Sequence, residues 1–335
     1  MTDARTMAGR FGMSDRARLV VAGAGLFGSE HLRMLAAWPD VAVVGVADAN
    51  AEAAEAAASR FGVAETATDA IELTERLRPD GLIVATPGPT HVAIAGHALG
   101  LGIPVLVEKP VAMSVADAAK LAAMAEASDG FVLPGHVLRF SEPHRRFAGI
   151  VRSAAVGTIL SVTARRHRDD SHARRYTEDP VLMTMVHDID LALWLTGGEA
   201  MPRKVLATRR PAGTSRSETL ATVTGATGAV WRLATAWTFP IESCPSDRIE
   251  VVGENGSAEL DVDGTIRVFG TEPQTIEVTI DYDAALHAEH MHFVDCLRSG
   301  KPPETVTLRE AITGLAVAEA AMASIGNGDV VITAG

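Results

Sequence analysis

The sequence has few cysteines, no long apolar run and a shortage of positive charge, and each of these excludes a class of protein. Two cysteines in 335 residues, Cys244 and Cys296, cannot build a disulfide framework, which favours a reducing compartment. Neither cysteine has neighbours that would activate a thiol. No apolar run reaches the ~20 residues that a membrane-spanning helix needs. The net charge of −12 argues against nucleic acid as a partner, because phosphate binding needs an excess of Lys and Arg.

The first 16 residues carry positive charge but lack the apolar core of a secretory signal. We therefore expect a short, flexible N-terminal extension in a cytoplasmic protein, with no membrane association.

Residues 17–136 alternate short apolar runs with helix-forming stretches. The runs are near-continuously hydrophobic, as strands covered on both faces are. They lie at 19–23, 41–48, 81–86, 104–110 and 131–135. This repetition predicts an α/β domain of the Rossmann type, with a doubly wound parallel sheet that binds a dinucleotide.

Residues 137–335 have a different pattern, in which several short strands follow one another between Gly, Asn and Asp turns. Helices are predicted over 141–155 and 181–196, and two more close the chain. Consecutive strands without intervening helices predict an α+β domain with a large, mostly antiparallel open sheet for substrate binding and oligomerisation. The final helix could pack back on the first domain.

The segment GAGLFG lies directly after the first strand and opens a helix. Gly23 suits a tight turn, Gly25 allows a pyrophosphate to approach the backbone, and Gly28 allows close packing of helix on strand. Asp48 ends the second strand, where a carboxylate can bind an adenosine ribose. The alternative is a Rossmann-like fold without a ligand. Leu26 and Phe27 complete the predicted cofactor loop.

The three residues after Asp48 include no Arg or Lys. A 2′-phosphate would therefore meet a carboxylate without a compensating cation, so the sequence predicts NAD as the cofactor, with NADP less favoured.

The segment ATPGPTH ends the apolar run at 81–86, at the sheet edge where ligands of such folds bind. Thr86, Pro87 and His91 are predicted to lie near the nicotinamide side of the cofactor. The alternative is a plain strand-to-helix turn with Thr90 as the helix cap.

The segment VLVEKP takes a buried strand straight into Glu108 and Lys109. Charges there are unfavourable unless they are paired or functional. Pro110 restricts Lys109 to extended conformations, which would hold its amine at the sheet edge. A partly desolvated lysine there could exchange a proton with a substrate hydroxyl. The alternative is a surface salt bridge.

The segment VLMTMVHDID places His187 and Asp190 three residues apart on one face of a predicted helix. They form either an acid/base pair or a core histidine with a carboxylate partner.

The segment ARRHRDDSHARRY concentrates positive charge in an acidic protein. Strand alternation places Arg166 and Arg168 on one face, where they could bind a carboxylate or phosphate. The alternative is a solvated loop balanced by nearby acids. Three histidines crowd a late helix without a completing ligand set, so no metal site is predicted. They are His287, His290 and His292.

These motifs occur in the order seen in one family, and together they resemble the Gfo/Idh/MocA group of glucose–fructose oxidoreductase, inositol dehydrogenase and rhizopine catabolism proteins. EKP is the most specific of them, and GHVLRF and FVDCLRSGKPP extend the similarity over the whole chain. The resemblance implies a Rossmann domain, an open-sheet domain, and a homodimer or homotetramer assembled through that sheet. It implies NAD(P)-dependent oxidation or reduction of a sugar, polyol or derivative. Lys109 matches the family's catalytic lysine, and His187 matches its catalytic histidine.

The resemblance also assigns supporting roles. Glu108 and Lys109 join the cofactor site, while His136, Arg139 and Asp190 join the predicted substrate site. One position departs from the pattern. Many members similar to inositol dehydrogenase carry Asp four residues before the histidine, where this chain has Met183. Met can neither accept nor donate a useful proton, which argues against an inositol-type relay.

The sequence therefore predicts an NAD-dependent dehydrogenase that acts on a secondary alcohol of a small carbohydrate-like substrate, with Lys109 and His187 managing the proton. Two alternatives remain: glycoside cleavage through transient oxidation by a retained NAD, and a non-catalytic NAD-binding sensor.

Overall fold

The computed structural model describes residues 16–153, 156–197 and 201–333. The chain divides into two compact units. The first unit runs to Val137 and includes Asp283–Ile312, and the second comprises Leu138–Tyr282 and the chain from Thr313 onward. Apart from Arg16, the predicted N-terminal extension lies outside the described residues. Within the described ranges, no helix is both long and apolar enough to cross a membrane.

Six parallel strands form the sheet of the first unit. They are β1 (Ala17–Ala22), β2 (Val41–Ala47), β3 (Glu65–Ala67), β4 (Gly81–Val84), β5 (Val105–Glu108) and β6 (Val132–Gly135). The helices between them are α1 (Leu26–Ala36), α2 (Ala51–Phe61), α3 (Ala70–Leu77), α4 (His91–Gly100) and α5 (Val115–Glu126). The strand order β3-β2-β1-β4-β5-β6 reverses between β1 and β4, which makes the carboxyl edge there the expected ligand crevice. The predicted doubly wound fold is confirmed.

Strand β3 and helix α3 were not predicted from the sequence. β3 has only three residues, all half-buried, so it lacks the apolar run that marks the other strands. α3 has eight residues and is capped by Asp69, whose side chain accepts the N–H groups of Ile71 and Glu72.

The second unit is built on a nine-stranded sheet. Its strands are β7 (Ile159–Asp169), β8 (Pro202–Arg210), β9 (Glu218–Gly225), β10 (Val230–Phe239), β11 (Arg248–Gly253), β12 (Gly256–Asp261), β13 (Thr265–Phe269), β14 (Gln274–Glu277) and β15 (Val331–Ile332). Its helices are α6 (Glu142–Arg152), α7 (Ser171–Arg175) and α8 (Val186–Thr196), and two more helices, α9 (Tyr282–Ser299) and α10 (Leu308–Asn327), lie between β14 and β15 in the chain. Every described strand pair in this sheet is antiparallel except β7–β10, so the mostly antiparallel sheet is confirmed.

One face of this sheet is the core, and the other is open. On β10 the side chains of Trp231, Leu233 and Trp237 are buried, while Leu206 on β8 and Leu220 on β9 are 42% and 47% exposed. Period-two alternation of strand side chains produces this separation.

Helix α9 belongs to the first unit, although the sequence placed it in the second domain. Its Phe293 ring lies edge-to-face with Phe131 at 6.1 Å between centroids. A Cβ atom at Gly81 would lie 2.9 Å from the Phe293 ring, so the glycine at the start of β4 makes room for the helix. An amphipathic pattern shows that a helix has a buried face, but it does not show which core that face joins.

Candidate active site

The glycine loop after β1 has the geometry that dinucleotide binding requires. Gly23 has φ +102°, and a Cβ atom there would lie 2.4 Å from the carbonyl oxygen of Ala85. A Cβ atom on Gly28 would lie 2.0 Å from the carbonyl oxygen of Gly23, whereas one on Gly25 would meet nothing within 4 Å. Gly23 and Gly28 are therefore required by the fold, and Gly25 leaves open space at the start of α1, where a pyrophosphate fits.

Asp48 follows β2 directly and helps to shape this loop. Its Oδ2 accepts the backbone N–H of Ala24 at 2.8 Å, and its Oδ1 accepts that of Asn50 at 2.9 Å. The carboxylate is half-buried beside the glycine loop, a placement that suits hydrogen bonds from ribose hydroxyls. Leu26 and Phe27 are largely exposed on the first turn of α1.

The ATPGPTH loop is tied to the EKP segment by His91. The ring Nδ1 lies 2.9 Å from the carbonyl oxygen of Pro110, and Nε2 lies 2.7 Å from that of Thr86. Thr90 Oγ1 lies 2.8 Å from Pro87 O, to which its hydroxyl donates, and 2.7 Å from Thr86 Oγ1, whose hydroxyl can donate to it. A buried histidine and a threonine thus fix the loop at the carboxyl edge of β4.

The EKP segment ends β5. Glu108 is buried, and its Oε2 accepts the backbone N–H of Lys109 at 3.3 Å. Lys109 itself is half-buried at the end of the strand, and the Lys109–Pro110 peptide bond is cis. The lysine is therefore partly desolvated at the sheet edge where ligands bind.

The segment that carries His187 begins with a π-helical turn over Val181–Met185, and α8 follows it. The sequence predicted one regular helix over 181–196. Asp179 starts the turn by accepting the N–H of Val181 at 2.8 Å, and Arg209 on β8 binds both oxygens of Asp179. Turns of this kind often occur at functional sites.

Met183 and His187 are the half-buried members of residues 181–190, whose other members are all buried. The indole N–H of Trp237 donates to Thr184 Oγ1 at 2.9 Å and anchors the turn to β10. The four-residue spacing therefore places His187 and Met183 on the accessible side of the segment.

Asp190 lies on the buried side of α8 and binds Arg139. The guanidinium Nε lies 3.1 and 3.0 Å from the two carboxylate oxygens, and Nη2 lies 2.7 Å from Oδ1. Both side chains are almost fully buried. His136 is also buried, directly after β6.

Arg166 and Arg168 point to the same side of β7, as alternation predicted, because both bind Asp247. Arg166 also donates to Asp188 at 2.9 and 3.1 Å and is buried between the two carboxylates. Arg168 is partly exposed, at 29% of its side chain.

This buried network shifts the pKa of several groups. Burial raises the pKa of Asp188 to about 6, against the opposing effect of Arg166. Burial alone would raise the pKa of Asp247, but Arg166 and Arg168 hold it below its usual value. Burial, with Arg166 nearby, lowers the pKa of His144 to about 3. With this pKa the His144 ring is neutral, and its Nδ1 lies 2.9 Å from Ser141 Oγ.

The sequence did not show which carboxylates bind Arg166 and Arg168. Asp247 lies about 80 residues after Arg166 in the chain. Asp188 is adjacent to His187 and was visible in HDID, but nothing in that pattern indicated an arginine partner on β7.

Two family models match the chain. One is described as an oxidoreductase family with an NAD-binding Rossmann fold and covers residues 17–136, and the other is the GFO/IDH/MocA C-terminal domain, covering residues 144–259. The rhizopine catabolism protein MocA of Rhizobium meliloti is 30% identical, over 91% of this chain and 94% of its own length. The inositol 2-dehydrogenase of Burkholderia vietnamiensis strain G4 is 28% identical, over 91% of this chain and 92% of its own.

Among solved structures, an oxidoreductase from Agrobacterium radiobacter in complex with NAD⁺, L-tartaric acid and magnesium superimposes with a TM-score of 0.86. It is 17% identical, and the match covers 95% of this chain and 98% of that one. At this identity the likeness establishes a shared two-unit fold.

Proposed function

This chain belongs to the Gfo/Idh/MocA family of NAD-binding oxidoreductases and is an enzyme that acts on CH–OH groups, and from that premise we propose its reaction. It transfers hydride between the nicotinamide and a secondary alcohol or ketone of a sugar, polyol or sugar acid. The observation that carries this proposal is Lys109, half-buried at the carboxyl edge of the NAD-binding sheet. Gly25, with open space at its Cα, and Asp48 are the residues that would hold the cofactor, together with Gly23 and Gly28.

NAD, when bound, takes up or supplies the hydride, and the protein's own side chains transfer the proton. In the oxidation direction the Lys109 amine takes the proton of the substrate hydroxyl, while the C–H bond of the carbinol carbon breaks and its electron pair leaves as hydride. His187 binds the same hydroxyl oxygen or shares the proton. Thr86, Pro87 and His91 keep the neighbouring loop in place, with Leu26 and Phe27 flanking the phosphates.

Met183 separates this chain from inositol-type relatives. It occupies the position where a carboxylate would pair with His187, so the histidine works without that acid. We propose that Lys109 and His187 manage the proton without a carboxylate at position 183.

Of the predicted substrate residues, Arg168 is the best placed to bind an anionic group. Its guanidinium is partly exposed, whereas Arg166 lies buried between Asp188 and Asp247. Arg139 and Asp190 bind each other and fix α8, and His136 lies at the end of β6. A sugar acid would use Arg168 through a forked hydrogen bond.

A second copy of this chain is the proposed partner for the open face of the nine-stranded sheet. Leu206 and Leu220 are exposed there on adjacent strands. Sedimentation of the wild-type protein and of a Leu206→Lys/Leu220→Lys variant tests this, because a dimer or tetramer held by that face would dissociate.

The experiment for the reaction itself is a screen with NAD and NADP against polyols, aldonates, uronates and sugar phosphates. NADH formation with a secondary alcohol supports the proposal, and loss of activity toward acids alone in Arg168→Leu supports the anion role. Cleavage of a glycoside without net NADH release would indicate transient oxidation instead. NAD binding without turnover across the panel would indicate a sensor and contradict the proposal.

A further inference from the structure

Three buried side chains in the first unit form one hydrogen-bonded chain that ends at the EKP segment. His31 lies in α1, His290 lies in α9, and Glu108 is the last residue of β5. The Nε2 atom of His31 is 3.1 Å from Glu108 Oε1, and its Nδ1 atom is 2.7 Å from His290 Nε2. Both ring nitrogens of His31 therefore have partners. Buried polar groups are stable only when they are satisfied in this way.

Glu108 is fixed at the end of this His290–His31–Glu108 chain. Its second oxygen accepts the backbone N–H of Lys109. A Cβ atom on Gly135 would lie 3.0 Å from Glu108 Oε1, so the carboxylate lies against the backbone of β6 in space that another residue type would fill. Glu108 therefore connects the two histidines to Lys109, the residue to which the proposed function gives the proton transfer.

The other end of the chain is uncharged. Burial, with His31 and His287 nearby, lowers the pKa of His290 well below its usual value, so its ring carries one proton. Burial and the charge of Glu108 raise the pKa of the adjacent Glu289 well above its usual value, so that carboxyl is neutral. Among the described residues, His290 Nδ1 and both carboxyl oxygens of Glu289 have no hydrogen-bond partner.

These contacts determine where the protons lie. A buried N–H without an acceptor is rarer than a buried lone pair without a donor. The single proton of His290 therefore lies on Nε2 and is donated to Nδ1 of His31. His31 then carries its own proton on Nε2 and donates it to Glu108. Each hydrogen bond in the chain points toward the carboxylate.

We propose that His31 and His290 are positioning residues for Lys109, which they influence by holding in place the Glu108 carboxylate that accepts its backbone N–H. The inference rests on the proposed function, because that function gives Lys109 the proton transfer. A neighbouring carboxylate favours the ammonium form of a lysine and so sets the pH range in which the amine accepts a proton. His290 acts one step further away, by fixing the tautomer of His31.

The titration of Lys109 tests this directly. The sequence has only four lysines, at positions 109, 120, 204 and 301, so the NMR signal of ¹³Cε-labelled lysine can be assigned by substitution. We expect His31→Leu and His290→Leu to lower the titration midpoint of Lys109 by about one pH unit, because the Glu108 carboxylate loses the hydrogen bonds that fix its position. His31→Gln and His290→Gln should leave it near the wild-type value, since an amide can donate and accept in the same places.

His292→Gln is the matched control on α9, because its ring contacts Cys296 and is not a member of the His290–His31–Glu108 chain. The acid limb of the pH profile of kcat should move with the Lys109 midpoint in the two Leu variants, while NAD affinity stays constant. A Lys109 midpoint that is the same in wild type and both Leu variants would overturn the inference.

The wild-type protein provides a second test that remains valid if a Leu variant fails to fold. ¹⁵N spectra of labelled histidine should show both His31 and His290 as neutral rings protonated on Nε2, and a proton on Nδ1 of His31 would contradict the chain. Neither spectrum depends on turnover. If Lys109→Met is fully active, the proposed function fails. The lysine titration and the histidine tautomers would still show whether the His290–His31–Glu108 chain of hydrogen bonds exists.

Discussion

Arg139 and Asp190 form a buried ion pair that joins the turn after β6 to helix α8. Arg139 uses Nε and Nη2, and both side chains are almost fully buried. Because α8 carries His187 one turn before Asp190, this pair determines how the helix that presents the histidine is held.

Breaking the pair should destabilise the protein strongly. Asp190→Asn leaves the Arg139 guanidinium buried without its counter-charge, which costs about 3–5 kcal/mol of unfolding free energy. Asp170→Asn is the control, because Asp170 pairs with the exposed Arg174 and its loss should cost less than about 1 kcal/mol. Denaturant unfolding measures both. Equal losses in the two variants would show that burial of the Arg139–Asp190 pair is unimportant.

Two glycines of the cofactor loop should respond differently to alanine. Gly25→Ala should fold normally, since its Cβ meets nothing within 4 Å, and should weaken NAD binding about tenfold or more because the methyl group occupies the approach of the pyrophosphate. Gly28→Ala should instead lower the unfolding free energy by about 2–4 kcal/mol, since its Cβ would clash with the Gly23 carbonyl oxygen. Calorimetric NAD titration and thermal unfolding separate the two effects, and a stable Gly28→Ala protein would contradict the packing role.

The charge of Asp48 should determine the choice between NAD and NADP. Asp48→Asn keeps an oxygen that can accept the N–H of Ala24 but removes the charge that a 2′-phosphate would meet. The ratio of kcat/KM for NADP to that for NAD should rise about tenfold, equivalent to roughly 1.4 kcal/mol. The experiment compares both cofactors at saturating substrate, with Asp117→Asn, a partly exposed carboxylate on α5 that pairs with Lys120, as the control. An unchanged ratio of kcat/KM for NADP to that for NAD would show that Asp48 does not bind the ribose.

His144 should make the protein sensitive to acid. Its pKa is about 3 in the folded protein and about 6.5 when exposed, so the folded state binds fewer protons between these values. Unfolding free energy should therefore fall as pH falls from about 6.5 to 3, by as much as about 5 kcal/mol from this group. His144→Gln keeps a partner for Ser141 but does not titrate, so its stability should decline less on acidification.

Asp188, in the same network, should change the stability in the opposite direction as the pH falls. Its pKa of about 6 in the folded protein means that the folded state binds more protons between about pH 4 and 6, which adds stability as pH falls. Asp188→Asn should therefore lose stability more steeply with acid than wild type. If the His144→Gln and Asp188→Asn curves both run parallel to the wild-type curve, neither group titrates as its surroundings indicate.

The order of elements could be predicted from the sequence, because local patterns determine it. Apolar runs located β1, β2, β4, β5 and β6, and GAGLFG located the cofactor loop. The pairing of residues distant in the chain could not be predicted. Asp247 and Asp188 reach Arg166 only after the sheet has formed, and His290 reaches His31 only because α9 packs into the first unit. The spacing of side chains along one helix or strand does not show which other helix or strand will pack against it.

The most direct test of the proposed reaction is the turnover of Lys109→Met beside Lys120→Met, on an oxidisable polyol or sugar acid with NAD. Lys120 lies on the surface of α5 and pairs with Asp117, so its substitution should leave kcat unchanged. We predict that Lys109→Met still binds NAD but loses roughly 100- to 10,000-fold in kcat, the range for removal of a general acid–base group. Wild-type kcat in Lys109→Met with NAD bound would contradict it.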